Sequence, residues 1–222
     1  MKKILVIAPH PDDETLGCGG TLLKHQSKKD KISWCIVTFG NKDMGHDNAH
    51  MKKWDKIVNE VKKKYKMTDV FKLGYPTGAL DQVPFHSLID SIKKVIKKVK
   101  PDIIYINFSH DIHTDHQIIF QSFMSAVKNF NFPNVKKILL YETPSETEFA
   151  INKENITFVP NYFVDISNFL DKKLSIFSIY KSEVMKNNFP RSIKNIQALA
   201  KYRGGRIGKK YAEAFMLVFS IE

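Results

Sequence analysis

A chain of 222 residues suits one domain with a sizeable core, and its 43 % hydrophobic and 26 % charged residues are ordinary for a globular protein. No run of 18 apolar residues exists to span a membrane, and the two cysteines, Cys18 and Cys35, exclude a disulfide framework or a Cys-rich zinc centre. The formal charge of +12 comes almost wholly from scattered lysines, arginine standing only at 191, 203 and 206. A nucleic-acid binder gathers its cations on one face among aromatics, so that class is set aside, and an anionic small substrate drawn in by the field fits better.

Lys3 to Ala8 is a continuous apolar run, the pattern of a strand buried on both faces. With Met1-Lys2-Lys3 it mimics a signal peptide, but the run is too short and meets His10-Pro11-Asp12-Asp13-Glu14 at once, so the expected setting is cytoplasmic. Thr15 to Ser27 reads as a helix whose glycines, Gly17, Gly19 and Gly20, demand tight packing on a sheet. Ile32 to Phe39 is a second strand, His46 to Lys66 an amphipathic helix and Val70 to Leu73 a third strand. Phe85 to Lys98 is helical, with Leu88, Ile92, Val95 and Ile96 on one face, and Pro101 stops it. Asp102 to Asn107 is a fourth strand, His116 to Asn129 a helix and Lys137 to Glu142 a fifth strand. A strand at Val159 to Val164, helices at Phe169 to Tyr180 and Ser192 to Tyr202, and a last strand at Ala214 to Phe219 complete the chain. Strand and helix alternate through the first 140 residues, which predicts an α/β, Rossmann-like doubly wound, mostly parallel sheet with helices on both faces, in one domain spanning 1–222.

Two segments carry chemistry. His10-Pro11-Asp12-Asp13-Glu14 follows the first strand, and His110-Asp111-Ile112-His113-Thr114-Asp115-His116 follows the fourth. In a 3-2-1-4 strand order these two strands are neighbours, and their carboxyl ends form the crevice where such sheets place their sites. A catalytic zinc takes about three protein ligands and leaves a position open. His10 and Asp13 are three residues apart and can point at one spot, with a third ligand from the equally spaced His110, His113 and His116. Asp12 lies beside the metal without binding it, placed to take a proton from the water the metal activates. Either segment alone reads as turn and helix-cap chemistry; both together, at the ends of adjacent strands, point to a metal site.

Ala8-Pro9-His10-Pro11-Asp12-Asp13-Glu14-Thr15-Leu16-Gly17-Cys18-Gly19-Gly20-Thr21-Leu22 resembles the signature of the PIG-L (LmbE-like) deacetylase family, and His113-Thr114-Asp115-His116 resembles its His-x-Asp-His motif, with threonine where many members have proline. The resemblance runs on through Leu73 to Asp81, Tyr141 to Glu148, Ala200 to Gly205 and Tyr211 to Phe215, whereas Phe39-Gly40-Asn41-Lys42-Asp43 departs from the usual Gly-Glu pattern, which bears on substrate choice. It implies one Zn2+ held by His10, Asp13 and His116, with Asp12 as base, and His110 in neither role. His113, held by Asp115, would stabilise the oxyanion as imidazolium or protonate the leaving amine. It further implies removal of acetyl from an N-acetylglucosamine-type sugar or conjugate and a tendency to homo-oligomerise. Arg203 and Tyr211 are candidates for the substrate rim. Three alternatives stand beside it. A metallohydrolase for another amide or an ester would use the same groups. A nucleotide-binding module is disfavoured because Leu22 stands where the dinucleotide fingerprint needs glycine. A nucleic-acid binder leaves both motifs unexplained. Iron or cobalt would suit the same donors as zinc.

Overall fold

The computed structural model describes residues 1–40, 45–150 and 156–222. Among them the strands are β1 (Lys3–Ala8), β2 (Lys31–Thr38), β3 (Asp69–Tyr75), β4 (Ile103–Asn107), β5 (Lys137–Tyr141), β6 (Tyr162–Asp165) and β7 (Ala212–Ser220). The α-helices are α1 (Asp13–Ser27), α2 (Asn48–Tyr65), α3 (Phe85–Val99), α4 (Thr114–Ala126), α5 (Leu170–Phe177) and α6 (Ile193–Gly205). All strands belong to one sheet in the order β3-β2-β1-β4-β5-β7-β6. The first five run parallel, and β7 lies antiparallel between β5 and β6. The fold is therefore α/β with a mixed, mostly parallel sheet flanked by helices, and β1 and β4 are neighbours as the alternation predicts.

The alternation of side chains along β1 explains its unbroken apolar run. Ile4, Val6 and Ala8 enter a core with α1 and α2, while Leu5 and Ile7 enter the opposite core with α3 and α4. The α3 stripe Leu88, Ile92, Val95 and Ile96 is buried in that second core.

The glycines of α1 are explained by what presses on them. A Cβ on Gly17 would stand 2.2 Å from Cδ2 of Tyr141 in β5, and one on Gly20 would stand 2.8 Å from Ile166. The helix is kinked at Cys18 (φ −140°, ψ 19°), which frees backbone groups that a straight helix would pair. The Gly20 and Thr21 amides donate to the Glu213 carboxylate at 2.8 and 2.7 Å, and the Leu16 carbonyl accepts from Lys173 Nζ at 2.8 Å. Lys173 and Glu213 are themselves paired at 2.7 Å, both buried. The last third of the chain thus braces the helix that carries the first motif.

Candidate active site and metal centre

The two motif segments meet at the carboxyl ends of β1 and β4. Pro9, just past β1, is pinned by Thr38, whose amide and hydroxyl both donate to the Pro9 carbonyl at 3.0 and 2.9 Å. The chain then turns at Asp12, whose φ of +137° is rare for a residue with a side chain; strain of this kind is characteristic of functional sites. The Asp12 amide donates to the buried Glu14 carboxylate at 3.1 Å, which helps to hold the turn. Beyond β4, Asn107 Nδ2 donates to the His116 carbonyl at 3.0 Å and fixes the start of α4.

His10, Asp13 and His116 present one donor atom each to a common point. His10 Nδ1 and Asp13 Oδ2 are 3.4 Å apart, His116 Nε2 and Asp13 Oδ2 3.4 Å, and the two ring nitrogens 3.3 Å. Donors sharing a tetrahedral zinc at about 2.0–2.1 Å stand roughly 3.3–3.4 Å apart, the edge of such a tetrahedron. The residues present therefore fit a metal of that size. The other nitrogen of each ring meets a carboxylate, His116 Nδ1 with Asp111 Oδ2 at 2.8 Å and His10 Nε2 with Asp115 Oδ2 at 3.1 Å. Carboxylates so placed fix the tautomer and orientation of metal-binding histidines. His10, His113 and Asp115 form a second close group. There, however, His10 would offer the nitrogen already bonded to Asp115, so the group reads as the brace of His10.

Among the protein groups alone, the electrostatics follow from packing these charges together. Burial opposes the charge on Asp13, but His116 and His10 outweigh it and hold the carboxyl below its ordinary range. Burial likewise opposes protonation of His10, but Asp115 and Asp13 prevail and raise it to about 9. Asp12 is pushed well above the usual carboxylate range, first by burial and then by Asp13 and Glu183, with Arg191 opposing. Burial, followed by the neighbouring His10 and His116, lowers His113 to about 4.

The geometry corrects one expectation about His113. Asp115 does not hold its ring with a carboxylate. Instead the Asp115 backbone amide donates to His113 Nδ1 at 3.1 Å, while the carboxylate serves His10 and accepts from the Gly78 amide at 2.7 Å. With Nδ1 accepting from that amide, Nε2 is the ring nitrogen left to act as a donor, and burial with the neighbouring His10 and His116 disfavours the charged ring.

Asp12, Asp13, His10, His113 and His116 line a cavity of about 330 Å³, within the range of small-molecule sites. Arg203 and Tyr211, expected at its rim, do not line it. Arg203 forms a two-pronged pair with Glu142 at 2.9 and 2.6 Å in the neighbouring cleft. Tyr211 lies beyond, its hydroxyl accepting from Gln197 Nε2 at 3.2 Å. His110 also stays outside, bonded to Ser109 at 2.7 Å. Of the unusual Phe39–Asp43 stretch, Phe39 and Gly40 line the cavity, and residues 41–43 lie outside the described residues.

Asp111 and Arg191, given no role by the sequence, also bear on the site. Asp111 stands in the second motif segment, five residues before His116, and braces it. Arg191 reaches Asp12 Oδ2 at 3.3 Å and Glu183 Oε2 at 3.2 Å. Its one signal is rarity, an arginine in a chain that otherwise uses lysine, and arginine suits fixed contacts with carboxylates.

The later segments singled out in the sequence also support the centre. Gly78, at φ +71°, turns its amide onto Asp115. Thr147 Oγ1 donates to Asp111 at 2.6 Å. Glu213 caps the kink of α1.

Residues 5–127 match the family model described as PIG-L, GlcNAc-PI de-N-acetylase. The chain belongs to the PIG-L family. It is accordingly an N-deacetylase, a hydrolase. It is 25 % identical over 226 residues to the diacetylchitobiose deacetylase of Thermococcus kodakarensis, covering 98 % of this chain and 84 % of that one. It is 24 % identical over 209 residues to a probable N-acetyl-alpha-D-glucosaminyl L-malate deacetylase 2 of Bacillus cereus, covering 89 % and 91 %. Among solved structures, the conserved protein TT1542 from Thermus thermophilus shares the fold with a TM-score of 0.79 at 24 % identity, over 100 % of this chain and 97 % of that one.

Proposed function

We propose that this PIG-L family member removes the acetyl group from the amine of an N-acetylglucosamine-type sugar or conjugate, with one Zn2+ held by His10, Asp13 and His116. The family and the named relatives support sugar N-deacetylation; the ligand triangle, with a carboxylate behind each histidine, supports the metal centre and is the observation that carries the reading. Zinc, when bound, supplies Lewis acidity, lowering the pKa of water and polarising the amide carbonyl.

The chain's own residues account for the proton movements. Asp12 takes a proton from the attacking water as the water oxygen bonds to the acetyl carbon. Its raised pKa suits a base that must also give the proton back. The protonated Asp12 then delivers that proton to the sugar nitrogen as the carbon–nitrogen bond breaks, releasing acetate and the free amine. His113, neutral and with its Nδ1 engaged, donates from Nε2 to the oxygen that gains negative charge. Arg191 keeps the Asp12 carboxylate in place between turns of this cycle.

The test is to compare an N-acetylated sugar with its O-acetyl analogue on the metal-loaded protein. Acetate from the amide, abolished in Asp12→Asn, is the expected result. Acetate from the ester alone would favour the alternative of a metallohydrolase that cleaves esters.

A further inference from the structure

The cavity has two unlike walls beyond the catalytic groups. One is aromatic. His50 and Trp54, four residues apart on α2, both face it, with ring centres 6.3 Å apart. His46 stacks on His50 at 4.2 Å with the planes 3° apart, and Tyr180 backs Trp54 at 6.2 Å. The other wall is acidic, formed by Glu146 and by Glu183, which is paired with Arg191. Arg191 is the one lysine or arginine in the lining among the described residues, and it is already divided between Asp12 and Glu183. The Arg203 guanidinium in the adjoining cleft is likewise held by Glu142.

A group of four lysines lies elsewhere. Lys93, Lys94, Lys97 and Lys100 surround a separate cavity at the end of α3, beside the amino end of β4, whereas the site lies at the carboxyl ends. The net charge of the chain therefore does not describe the charge of the cavity lining. The field of the whole chain acts on encounter, but the groups in the lining decide what binds.

We propose that this cavity selects a neutral amino-sugar oligosaccharide, the sugar next to the N-acetylated ring lying against Trp54 and His50, and disfavours conjugates that carry a carboxylate or phosphate. The placing of the acetyl group rests on the deacetylase reading above; the selection by charge does not. The C–H face of a pyranose is apolar and packs on aromatic rings, while its hydroxyls pair with carboxylates. An anionic aglycone would meet Glu146 with no uncommitted lysine or arginine among the described lining residues, and an unpaired charge in a closed site is costly.

The experiment compares N,N'-diacetylchitobiose, the malate conjugate of N-acetylglucosamine and free N-acetylglucosamine by kcat/KM on the metal-loaded enzyme. The neutral disaccharide should exceed the malate conjugate by at least about tenfold, or roughly 1.4 kcal/mol. Trp54→Ala should cost the disaccharide about tenfold, mostly in KM, and the monosaccharide much less, and Trp54→Phe should restore most of the loss. Glu146→Gln should narrow the gap between the neutral and malate substrates. Equal or better use of the malate conjugate, or an equal loss on both neutral sugars in Trp54→Ala, would overturn the proposal. A second readout needs no turnover: quenching of tryptophan fluorescence in Asp12→Asn on titration with each ligand. Saturable quenching by the disaccharide, and far weaker quenching by the malate conjugate, would uphold the subsite even if no acetate were released, in which case the deacetylase reading alone would fail. Acetate from every ligand without discrimination would leave that reading standing and sink this one.

Discussion

Replacing Asp111 with alanine isolates what a residue behind the metal contributes. Asp111 is fully buried, and its Oδ2 accepts from His116 Nδ1 at 2.8 Å, a charge-assisted bond of the kind worth about 1.5–3 kcal/mol. Carboxylates behind metal-binding histidines typically contribute 10–100-fold to affinity, or about 1.4–2.7 kcal/mol, so the two ranges agree. Asp111→Ala should therefore weaken zinc binding about 10–100-fold. It should also cost some folding stability, on the order of 1–3 kcal/mol, because the Thr147 hydroxyl loses its buried acceptor. Asp111→Asn keeps the shape and an accepting oxygen and loses only the charge, so its zinc affinity should fall about tenfold or less. Zinc competition against a chelator of known affinity measures the first effect, and urea unfolding of the metal-free protein measures the second. A folded Asp111→Ala protein that binds zinc within about threefold of the original would refute the claim that Asp111 orients His116 toward a metal.

Asp12→Asn should retain one metal per chain and lose about 10²–10⁴-fold in turnover; a metal-free variant would show that Asp12 is a ligand and not the base. His116→Ala should lose the metal, whereas His113→Ala should keep it with a much reduced rate, and metal analysis of the two proteins separates the roles. Zinc affinity should rise with pH from neutrality into the alkaline range. Without metal, against the opposing effect of burial, Asp115 and Asp13 raise His10 to about 9 and Asp13 and Asp111 raise His116 well above its ordinary value, so at neutral pH the metal must displace their protons, which calorimetry in buffers of different ionisation heat will detect as proton release. A pH-independent affinity would contradict the assigned ligands. Lys173→Met strands the buried Glu213 carboxylate without its cation and should destabilise the fold by about 3–5 kcal/mol in urea unfolding. An unchanged midpoint would mean that the kink of α1 does not depend on the pair.

The parallel half of the fold is legible in the sequence because each of its elements carries its own period. The two-faced burial of β1 and the stripe along α3 could arise in few other ways, and the strand order follows from alternation. The 3-10 turns Leu80–Gln82 and Asn129–Asn131 among the described residues leave no such trace, since three residues carry no period. The proposed ligands His10 and Asp13 are legible in their spacing, in one of two chemically unusual segments at the ends of adjacent strands, whereas His116 is set apart from the equally spaced His110 and His113 only by the family motif. Their supports are not. Asp111 braces His116 from five residues away, Gly78 serves Asp115 through its backbone, and Arg191 reaches Asp12 across 179 residues of sequence. No spacing rule connects such groups, because tertiary packing alone brings them together. The role of Asp115 differs from its expected one for the same reason: its neighbour in sequence, His113, is served by its amide, and its carboxylate is aimed at His10. The net charge says least about the substrate, since a sum over the chain does not say which groups face the cavity.

The most direct test is the metal content of the purified protein, measured on the same sample as acetate release from N-acetylglucosamine-type substrates before chelation, after it, and after zinc is returned. The expected result is about one metal per chain, with acetate release that disappears with the metal and returns with zinc. A protein that takes up no metal, or one whose acetate release is untouched by its removal, would contradict the account at its centre.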